Sequence, residues 1–271
     1  KSKILSKEFN PAEYDTLVSS GEQIACSLIA GRLNQLGYKS RSWMGWQVPI
    51  FTNLNHSSAR INYIKQNNLK KYLKLGGIPI VAGFQGINSN QRITTLGRGG
   101  SDASAIMLAK FFKAKKCIIY TDVVGVMTTD PKIYKKAKKI KEISYEEMLE
   151  MASLGSKVMQ SSSVQDARLN RINIDVKSSF INQQGTLITK RKNIVNNKII
   201  TGISSTKNDA KVTLVGIKDK PGIAASIFKP LSENNINVDM VVQNISADGK
   251  ETDLTFTIKS EDLNKTQRLV K

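Results

Sequence analysis

Hydrophobic and polar residues alternate along the first two thirds of the chain in two patterns. Short apolar runs, such as those at 77–84 and 116–122, are typical of strands that are buried on both faces of a sheet. Longer segments carry apolar residues at helical spacing, and the clearest of them ends at Gly37 and has a capping box of Ser20 and Gln23. Its apolar positions are Ile24, Leu28, Ile29, Leu33 and Leu36.

These patterns predict strands that alternate with helices. The predicted strands cover 39–45, 77–84, 92–96, 116–122 and 172–180, and further helices cover 101–114, 144–155 and about 156–170. Ser101 or Asp102 is the expected N-cap of the helix at 101–114, and Ser144 with Glu147 forms a second capping box. Such alternation favours an α/β domain with a largely parallel sheet, in which ligands gather at the carboxyl ends of the strands.

The pattern changes near residue 190. Residues 191–200 are polar and charged and predict a linker between two domains, 1–190 and 201–271. The second domain has the predicted order strand, helix, strand, strand, helix, which is a ferredoxin-like α+β unit that lacks its last strand. Pro221 is expected near the start of its first helix, a turn is expected at 247–249, and Ser260 is the expected cap of its last helix.

Composition narrows the class of protein. Hydrophobic residues make up 40% of the 271 residues, which is enough for a folded core. No apolar run approaches the ~18 residues of a membrane span, and the charged first residues do not form a signal peptide, so we expect a cytoplasmic protein without a membrane partner. The chain begins with Lys1 rather than Met, and we expect the natural chain to extend beyond both ends.

The net charge of +19 raises the possibility of a nucleic-acid partner. The basic residues are scattered and lack interleaved aromatic residues, so we interpret them as a solvated basic surface and expect no nucleic-acid partner. Cys26 and Cys117 are expected to be buried thiols. His56 is the only histidine, and we expect it to be a surface loop residue without partners.

The stretch TTLGRGGSDASA, at 94–105, joins a predicted strand to a predicted helix. Its glycines at 97, 99 and 100 let backbone amides approach a ligand, and the helix start attracts anions. Arg98 can hold a carboxylate or a phosphate with two parallel hydrogen bonds, and Asp102 can accept a hydrogen bond from an ammonium group. The residues alone predict either an anion-binding turn or a structural glycine turn.

A second loop, TDVVGVMTTDP at 121–131, follows the next strand. Its aspartates, Asp122 and Asp130, can hold Mg²⁺ on a nucleotide, or they can cap backbone groups of the loop. Glu22 lies in the first turn of its predicted helix. From position alone it is either a functional carboxylate or a surface residue favoured by the helix dipole.

Several stretches together resemble the aspartate kinases, which are amino acid kinases with a C-terminal ACT domain that senses amino acids. They include SSGEQ at 19–23, the two stretches above, and NVDMVVQNIS at 237–246. The resemblance covers nearly the whole chain. It implies the amino-acid-kinase fold with three layers, and phosphorylation of the side-chain carboxylate of L-aspartate by MgATP. The product, 4-phospho-L-aspartate, leads to lysine (through diaminopimelate), threonine and methionine.

The resemblance also implies roles for individual residues. Arg98, with Gly99 and Gly100, would hold the α-carboxylate of aspartate. Glu22 and Asp102 would meet its ammonium group, with Ser101 nearby, and Asp102 would be the catalytic residue. The residues expected around ATP are Thr121, Asp122, Met127, Asp130, Lys132 and Lys157. The alternative function is a non-catalytic amino-acid sensor that retains the kinase fold.

Three features depart from the family pattern. No segment here resembles the family's KFGGTS, whose lysine stabilises the transferring phosphoryl group. Met127 replaces a common aromatic residue, and Lys132 replaces an arginine and so loses its forked geometry. Ser161 and Ser162 replace a Pro-Arg pair on the nucleotide side.

The ACT resemblance implies feedback by lysine or threonine, bound between paired ACT domains of a homo-oligomer. The residues expected to bind the effector are Asp219, Gly222, Ile223, Ala224, Asn237, Val238 and Gln243. Without the resemblance, the DKPGIAA stretch at 219–225 predicts only a Pro-Gly helix start.

Overall fold

A computed structural model describes residues 9–156, 158–190, 200–206, 208–218, 220–234, 236–245 and 251–270. It divides into two compact units, Lys1–Ser204 and Ser205–Lys271. The predicted linker at 191–200 lies outside the described residues except for its last position.

The first unit alternates helices and strands, as its sequence predicts. The helices are α1 (Pro11–Gln35), α2 (Asn67–Lys74), α3 (Gly100–Phe111), α4 (Tyr145–Ser153) and α5 (Ser161–Asn170). The strands are β1 (Ser40–Trp43), β2 (Ile50–Thr52), β3 (Ile61–Ile64), β4 (Ile78–Val81), β5 (Gln85–Ile87), β6 (Ile93–Thr95), β7 (Cys117–Thr121), β8 (Glu142–Ser144), β9 (Ile174–Ser178) and β10 (Thr186–Thr189).

These strands form three sheets within the described residues. Their orders are β1-β4, β3-β2-β5-β6 and β7-β9-β10-β8. The pairs β1–β4, β2–β5, β7–β9 and β8–β10 are parallel, and the remaining neighbours are antiparallel. The fold class predicted from the sequence, α/β with a largely parallel sheet, is confirmed.

Two apolar clusters hold the first unit together. The larger one packs α3, α4 and α5 against β7 and β9, with Ile106, Met148 and Ile174 fully buried. The smaller one packs Trp43, Ile50 and neighbouring side chains under α2 and α3. Both clusters include residues of α3, Ile106 in the larger one and Met107 in the smaller one.

Helix α1 differs from its prediction in both its start and its buried face. It begins at Pro11, because the Asn10 side chain accepts a hydrogen bond from the amide of Ala12 at 2.9 Å. Ser20 lies inside the helix and donates to the Leu17 carbonyl, so the predicted capping box with Gln23 is wrong. The predicted apolar stripe is exposed at Ile24, Leu28, Ile29 and Leu36, and the buried residues are instead Asp15, Ser19, Cys26 and Ala30.

The strands at 78–81 and 117–121 are not buried on both faces. Among the described residues, β4 pairs with β1 alone. Cys117 and Ile119 of β7 enter the larger core, whereas Tyr120 on the other face is 63% exposed. Helices cover only one face of this strand in the part of the chain that the structure describes.

Helix ends are predicted with mixed success. The capping box at Ser144 is confirmed, since its hydroxyl accepts from the Glu147 amide while the Glu147 carboxylate accepts from the Ser144 amide. Helix α5 begins at Ser161 rather than at 156.

Both cysteines are buried, as predicted.

The second unit has the predicted order of elements. It contains β11 (Asp209–Lys218), α6 (Ile223–Glu233), β12 (Asp239–Ile245), β13 (Glu251–Lys259) and α7 (Leu263–Leu269). The antiparallel sheet has the order β11-β13-β12, and Phe256 and Leu231 lie in its core. A 3₁₀ turn at Ser260–Asp262 precedes α7, whose N-cap is Asp262, so the predicted cap at Ser260 is wrong. The turn predicted at 247–249 lies outside the described residues.

Candidate active site

The turn between β6 and α3 requires glycine at positions 97 and 99. Gly97 and Gly99 have φ values of +74° and +73°, which side-chain-bearing residues rarely adopt. A Cβ atom on Gly97 would lie 2.9 Å from the Ser57 carbonyl oxygen, and one on Gly99 would lie 2.2 Å from Cγ of Gln160. The turn is therefore packed against two distant segments of the chain.

Helix α3 starts one residue earlier than predicted. Gly99 is its N-cap and offers no side chain to cap the helix, so the predicted cap at Ser101 or Asp102 is wrong. Both residues lie instead in the first turn. Within the described residues their backbone amides have no acceptor, which leaves N–H groups at the positive end of the helix dipole open to an anion.

Arg98 lies at the outer side of this turn. Its side chain is exposed and forms no hydrogen bond or ion pair with the residues that the structure describes. Arg98 directly precedes Gly99, the N-cap of the helix whose first turn contains the open amides of Ser101 and Asp102. This arrangement can bind a carboxylate or a phosphate.

The segment at 82–86 supports the turn from within. Gly83 lies against Ser101, since a Cβ atom there would be 3.5 Å from the Ser101 Cα. The Ser104 hydroxyl accepts a hydrogen bond from the Phe84 amide at 3.0 Å and donates to the Gly100 carbonyl at 2.8 Å. The stretches VAGFQG and TTLGRGGSD are therefore in direct contact.

The start of α5 meets the same turn. Gln160, the N-cap of α5, packs on Gly99, and the Ser163 hydroxyl donates to the Gly99 carbonyl at 3.4 Å. Ser161 and Ser162 are exposed in the first turn of α5. The sequence reasoning missed Gln160 and Ser163, because only the packing of α5 reveals that they touch Gly99.

Helix α1 reaches the site through polar contacts. Gln23 donates from Nε2 to Oε1 of Gln85 at 3.2 Å, and Glu22 beside it is half-buried. His56 is not the partnerless surface residue that the sequence predicted, because its Nδ1 lies 2.8 Å from Oδ2 of the buried Asp15. The prediction failed because Asp15 and His56 are distant in sequence and meet only in the folded chain.

Two aspartates near the turn have opposite electrostatic environments. Burial raises the pKa of Asp102 above its ordinary value. Burial also opposes ionisation of Asp15, but hydrogen bonds from Thr95, Ser57 and His56 outweigh it, and the pKa of Asp15 is lowered. Asp15 is thus held as a carboxylate, whereas Asp102 titrates at a higher pH than an ordinary aspartic acid.

The second predicted loop follows β7. The Thr121 hydroxyl donates to the Asp122 carboxylate at 3.1 Å, and both Asp122 and Lys132 are exposed. Asp130 accepts a hydrogen bond from the Lys132 amide at 2.8 Å, so it caps the loop backbone, one of the two roles that the sequence left open. Met127 forms an isolated antiparallel bridge with Lys139. Lys157 lies outside the described residues.

A cleft of about 260 Å³ opens at the carboxyl ends of β7 and β9. It adjoins the second loop, because the Ser179 amide donates to the Thr121 carbonyl at 2.8 Å. Its lining residues are Tyr120, Lys177, Ser178, Ser179, Phe180, Ile181, Asn182 and Gln183.

Two kinds of feature are absent from the described residues. They contain no group of three or more histidine, cysteine, aspartate or glutamate side chains that could hold a metal ion. None of their helices combines the length and the apolar character that a membrane crossing requires.

In the second unit, the predicted effector residues fall at two ends of α6. Gly222 is the N-cap, with φ +90°, and Ile223 and Ala224 begin the helix. Asn237 and Val238 follow the other end of α6, roughly 16 Å away for an 11-residue helix. Val238 packs against the core of the unit, and Gln243 lies on β12. Asp219 lies outside the described residues.

Comparison with known proteins places this arrangement in a family. The profile of the amino acid kinase family matches residues 2–178. The chain belongs to the amino acid kinase family. In this amino acid kinase, residues 212–271 also match an ACT domain.

Relatives of this amino acid kinase include aspartate kinases, as the sequence predicted. The aspartate kinase of Pseudomonas fluorescens (strain SBW25) is 44% identical over 261 residues, which are 96% of this chain and 63% of the relative.

Solved structures agree with this relationship. E. coli aspartokinase III in complex with aspartate and ADP (R-state) matches with a TM-score of 0.79 at 30% identity, over 93% of this chain and 56% of that chain. The same enzyme with lysine and aspartate (T-state) gives a TM-score of 0.76 at 27% identity, over 97% of this chain and 60% of that chain. This amino acid kinase therefore spans less than two thirds of the length of these proteins.

Proposed function

We propose that the protein is an aspartate kinase, which transfers the γ-phosphoryl group of ATP to the side-chain carboxylate of L-aspartate. The observation that carries the proposal is the glycine turn at 97–100. Its exposed Arg98 and the open amides of α3 form an anion site on the kinase fold. The 44% identity to an aspartate kinase supports the interpretation that the bound anion is a carboxylate of aspartate.

On the substrate side, Arg98 holds the α-carboxylate of aspartate with two parallel hydrogen bonds. The backbone at Gly99, Gly100 and Ser101 approaches the same group, because no side chain of the two glycines intervenes. Glu22 and Asp102 receive the ammonium group. Binding both charged ends leaves the side-chain carboxylate of the substrate as the free nucleophile.

On the nucleotide side, the site uses the carboxyl ends of β7 and β9. The residues that surround ATP are Thr121, Asp122, Met127, Asp130, Lys132 and Lys157. Lys132 and Lys157 supply positive charge near the phosphates, where charge neutralisation and positioning account for most of the catalysis of phosphoryl transfer. The cleft beside Thr121 provides the concave, partly apolar surface that a nucleoside requires.

Magnesium fits this donor set as a companion of ATP rather than as a resident ion. Asp122 is exposed, and Asp130 has one oxygen engaged with the Lys132 amide. Mg²⁺ prefers one or two carboxylates together with phosphate oxygens. When bound, it would offset charge on the β- and γ-phosphates.

The second unit supports regulation by lysine or threonine. Gly222, Ile223 and Ala224 lie at the start of α6, whereas Asn237 and Val238 follow its end. Pairing with a second ACT domain would bring the helix start of one copy beside the strand entry of the other, so we propose an ACT-mediated homo-oligomer. The T-state structure of E. coli aspartokinase III, solved with lysine, supports an amino-acid effector.

The decisive test is product formation by the full-length protein. Incubation with ATP, Mg²⁺, L-aspartate and hydroxylamine is expected to yield aspartyl hydroxamate, which is measured by its coloured iron complex. L-glutamate in place of L-aspartate serves as the substrate control. Lysine binding without any hydroxamate would establish the non-catalytic sensor instead.

A further inference from the structure

The carboxylate of Asp15 lies at the centre of a buried hydrogen-bond cluster between α1 and the end of β6. Asp15 is fully buried, and each of its oxygens has three partners. Oδ1 accepts from the Thr95 hydroxyl at 2.6 Å, the Ser57 hydroxyl at 3.1 Å and the Ser57 amide at 3.0 Å. Oδ2 meets His56 Nδ1 at 2.8 Å and the amides of Thr95 and Ser57, each at 3.0 Å.

The partners of Asp15 flank the glycine turn. Thr95 ends β6, three residues before Arg98. The Ser57 carbonyl lies against Gly97, where a Cβ atom would be only 2.9 Å away. The Ala59 amide also donates to the Thr95 carbonyl at 2.9 Å. One carboxylate therefore holds both the strand that enters the turn and the loop that backs it.

Helix α1 contains both Asp15 and Glu22, and the proposed function places Glu22 beside the ammonium group of the substrate. Glu22 follows Asp15 by seven residues, which is two helical turns on the same side and roughly 10 Å along the axis. A second tie lies between them, because the buried Gln85 donates from Nε2 to the Ser19 carbonyl at 3.3 Å. The position of Glu22 relative to Arg98 thus depends on how α1 attaches to β6.

We infer that Asp15 is a positioning residue of the aspartate site, which sets the helix of Glu22 against the turn of Arg98 without touching the substrate. The inference rests on the proposed function of that site. A carboxylate is suited to the role because every partner in the cluster can donate a hydrogen bond. An amide in its place would direct N–H groups at donors and push the turn away from α1.

The test compares Asp15→Asn, Thr95→Val and the unchanged full-length protein. For Asp15→Asn we expect the KM for aspartate to rise about tenfold or more, while the KM for ATP stays within about twofold. Thr95→Val removes a single donor, so a smaller rise of about two- to fivefold is expected in the same constant. The matched control is Asp209→Asn, which loses an ion pair to Lys259 in the second unit and should leave the aspartate KM unchanged.

A second measurement does not depend on activity. Hydrogen–deuterium exchange at 95–100 is expected to be faster in Asp15→Asn than in Asp209→Asn, in the absence of any ligand. Should the unchanged protein make no aspartyl hydroxamate, the proposed function fails and the exchange result alone decides the anchoring role of Asp15. Should Asp15→Asn fail to fold, Thr95→Val decides both measurements.

Two results would overturn the inference. One is an unchanged aspartate KM together with unchanged exchange at 95–100 in the folded variants. The other is an equal rise in the KM values for aspartate and ATP, since a general loss of structure affects both substrates alike.

Discussion

At the scale of single residues, each glycine of the turn makes room for a different part of the protein. Gly97 accommodates the Ser57 carbonyl, Gly99 accommodates Gln160, and Gly100 accommodates the side chains of Leu96 and Phe84. The missing side chains therefore serve packing. The anion-binding and structural interpretations of this turn are compatible, because the same tight packing fixes the open amides of Ser101 and Asp102.

Gly99→Ala is expected to destabilise the protein by about 2 kcal/mol or more. A left-handed alanine costs roughly 1–2 kcal/mol, and the added methyl group displaces Gln160. The measurement is urea unfolding. The control Gly31→Ala lies inside α1 with open space around it and should stabilise by about 0.5–1 kcal/mol. Equal effects of the two variants would contradict the packing described for Gly99.

Arg98→Ala is expected to raise the KM for aspartate about 30- to 150-fold, because it removes charge-assisted hydrogen bonds worth roughly 2–3 kcal/mol. Steady-state kinetics measure this, and the KM for ATP should change little. Arg98→Lys keeps the charge without the fork and should recover only part of the loss. An unchanged aspartate KM in Arg98→Ala would refute the proposed clamp.

Aspartate binding is expected to weaken with acid at an unusually high pH. Burial raises the pKa of Asp102, so this carboxylate gains its proton above the value of about 3.9 for an ordinary aspartic acid. The substrate ammonium then loses its partner as the pH falls through the raised pKa. Calorimetric titration with aspartate at a series of pH values tests this. Asp102→Asn should bind aspartate weakly at every pH and should not show the further loss of binding in acid.

At the scale of elements, local signals explain which features the sequence predicts. The capping box of α4 depends on residues three apart, so Ser144 and Glu147 are readable directly. The buried face of α1 depends instead on Thr95, Ser57 and Gln85, which supply hydrogen bonds to its polar side chains. Periodicity therefore identified the helix and selected the wrong face.

Short strands were missed for a related reason. β2, β5 and β8 have three residues each, which barely show a period of two. β6 is equally short and was predicted because the alternation at 92–96 extends beyond both of its ends. The residues of the candidate site also fall into two groups, those that are adjacent in sequence and those that folding brings together. Arg98 and its glycines stand together in sequence, whereas Asp15, Gln160 and the cleft beside β7 become neighbours only through folding.

Ser144→Ala is expected to lower the free energy of unfolding by about 1–2 kcal/mol, because α4 loses its N-cap. Chemical denaturation measures this. Ser153→Ala, at the other end of the same helix, loses only an exposed hydrogen bond to the Glu150 carbonyl and should change stability by less than about 0.5 kcal/mol. A larger effect at Ser153 than at Ser144 would contradict the capping role.

At the scale of the whole molecule, the net charge of +19 governs weak association rather than catalysis. We expect any binding to duplex DNA to be independent of sequence and to fall by about 10³-fold or more between 50 and 200 mM salt. Fluorescence anisotropy with two unrelated duplexes tests this. Binding that persists in 200 mM salt and prefers one duplex would point to a specific nucleic-acid partner.

The order of strands in the sheet that contains β8 has a consequence for biosynthesis. β8 pairs with β10 alone among the described strands, and roughly 45 residues separate the two in the chain. A ribosome adds about 5–20 residues per second, so nascent β8 waits several seconds for its partner while Ile143, fully buried later, is exposed. Slow codons between 145 and 185 would prolong this interval and favour aggregation, whereas faster translation there would protect the growing chain.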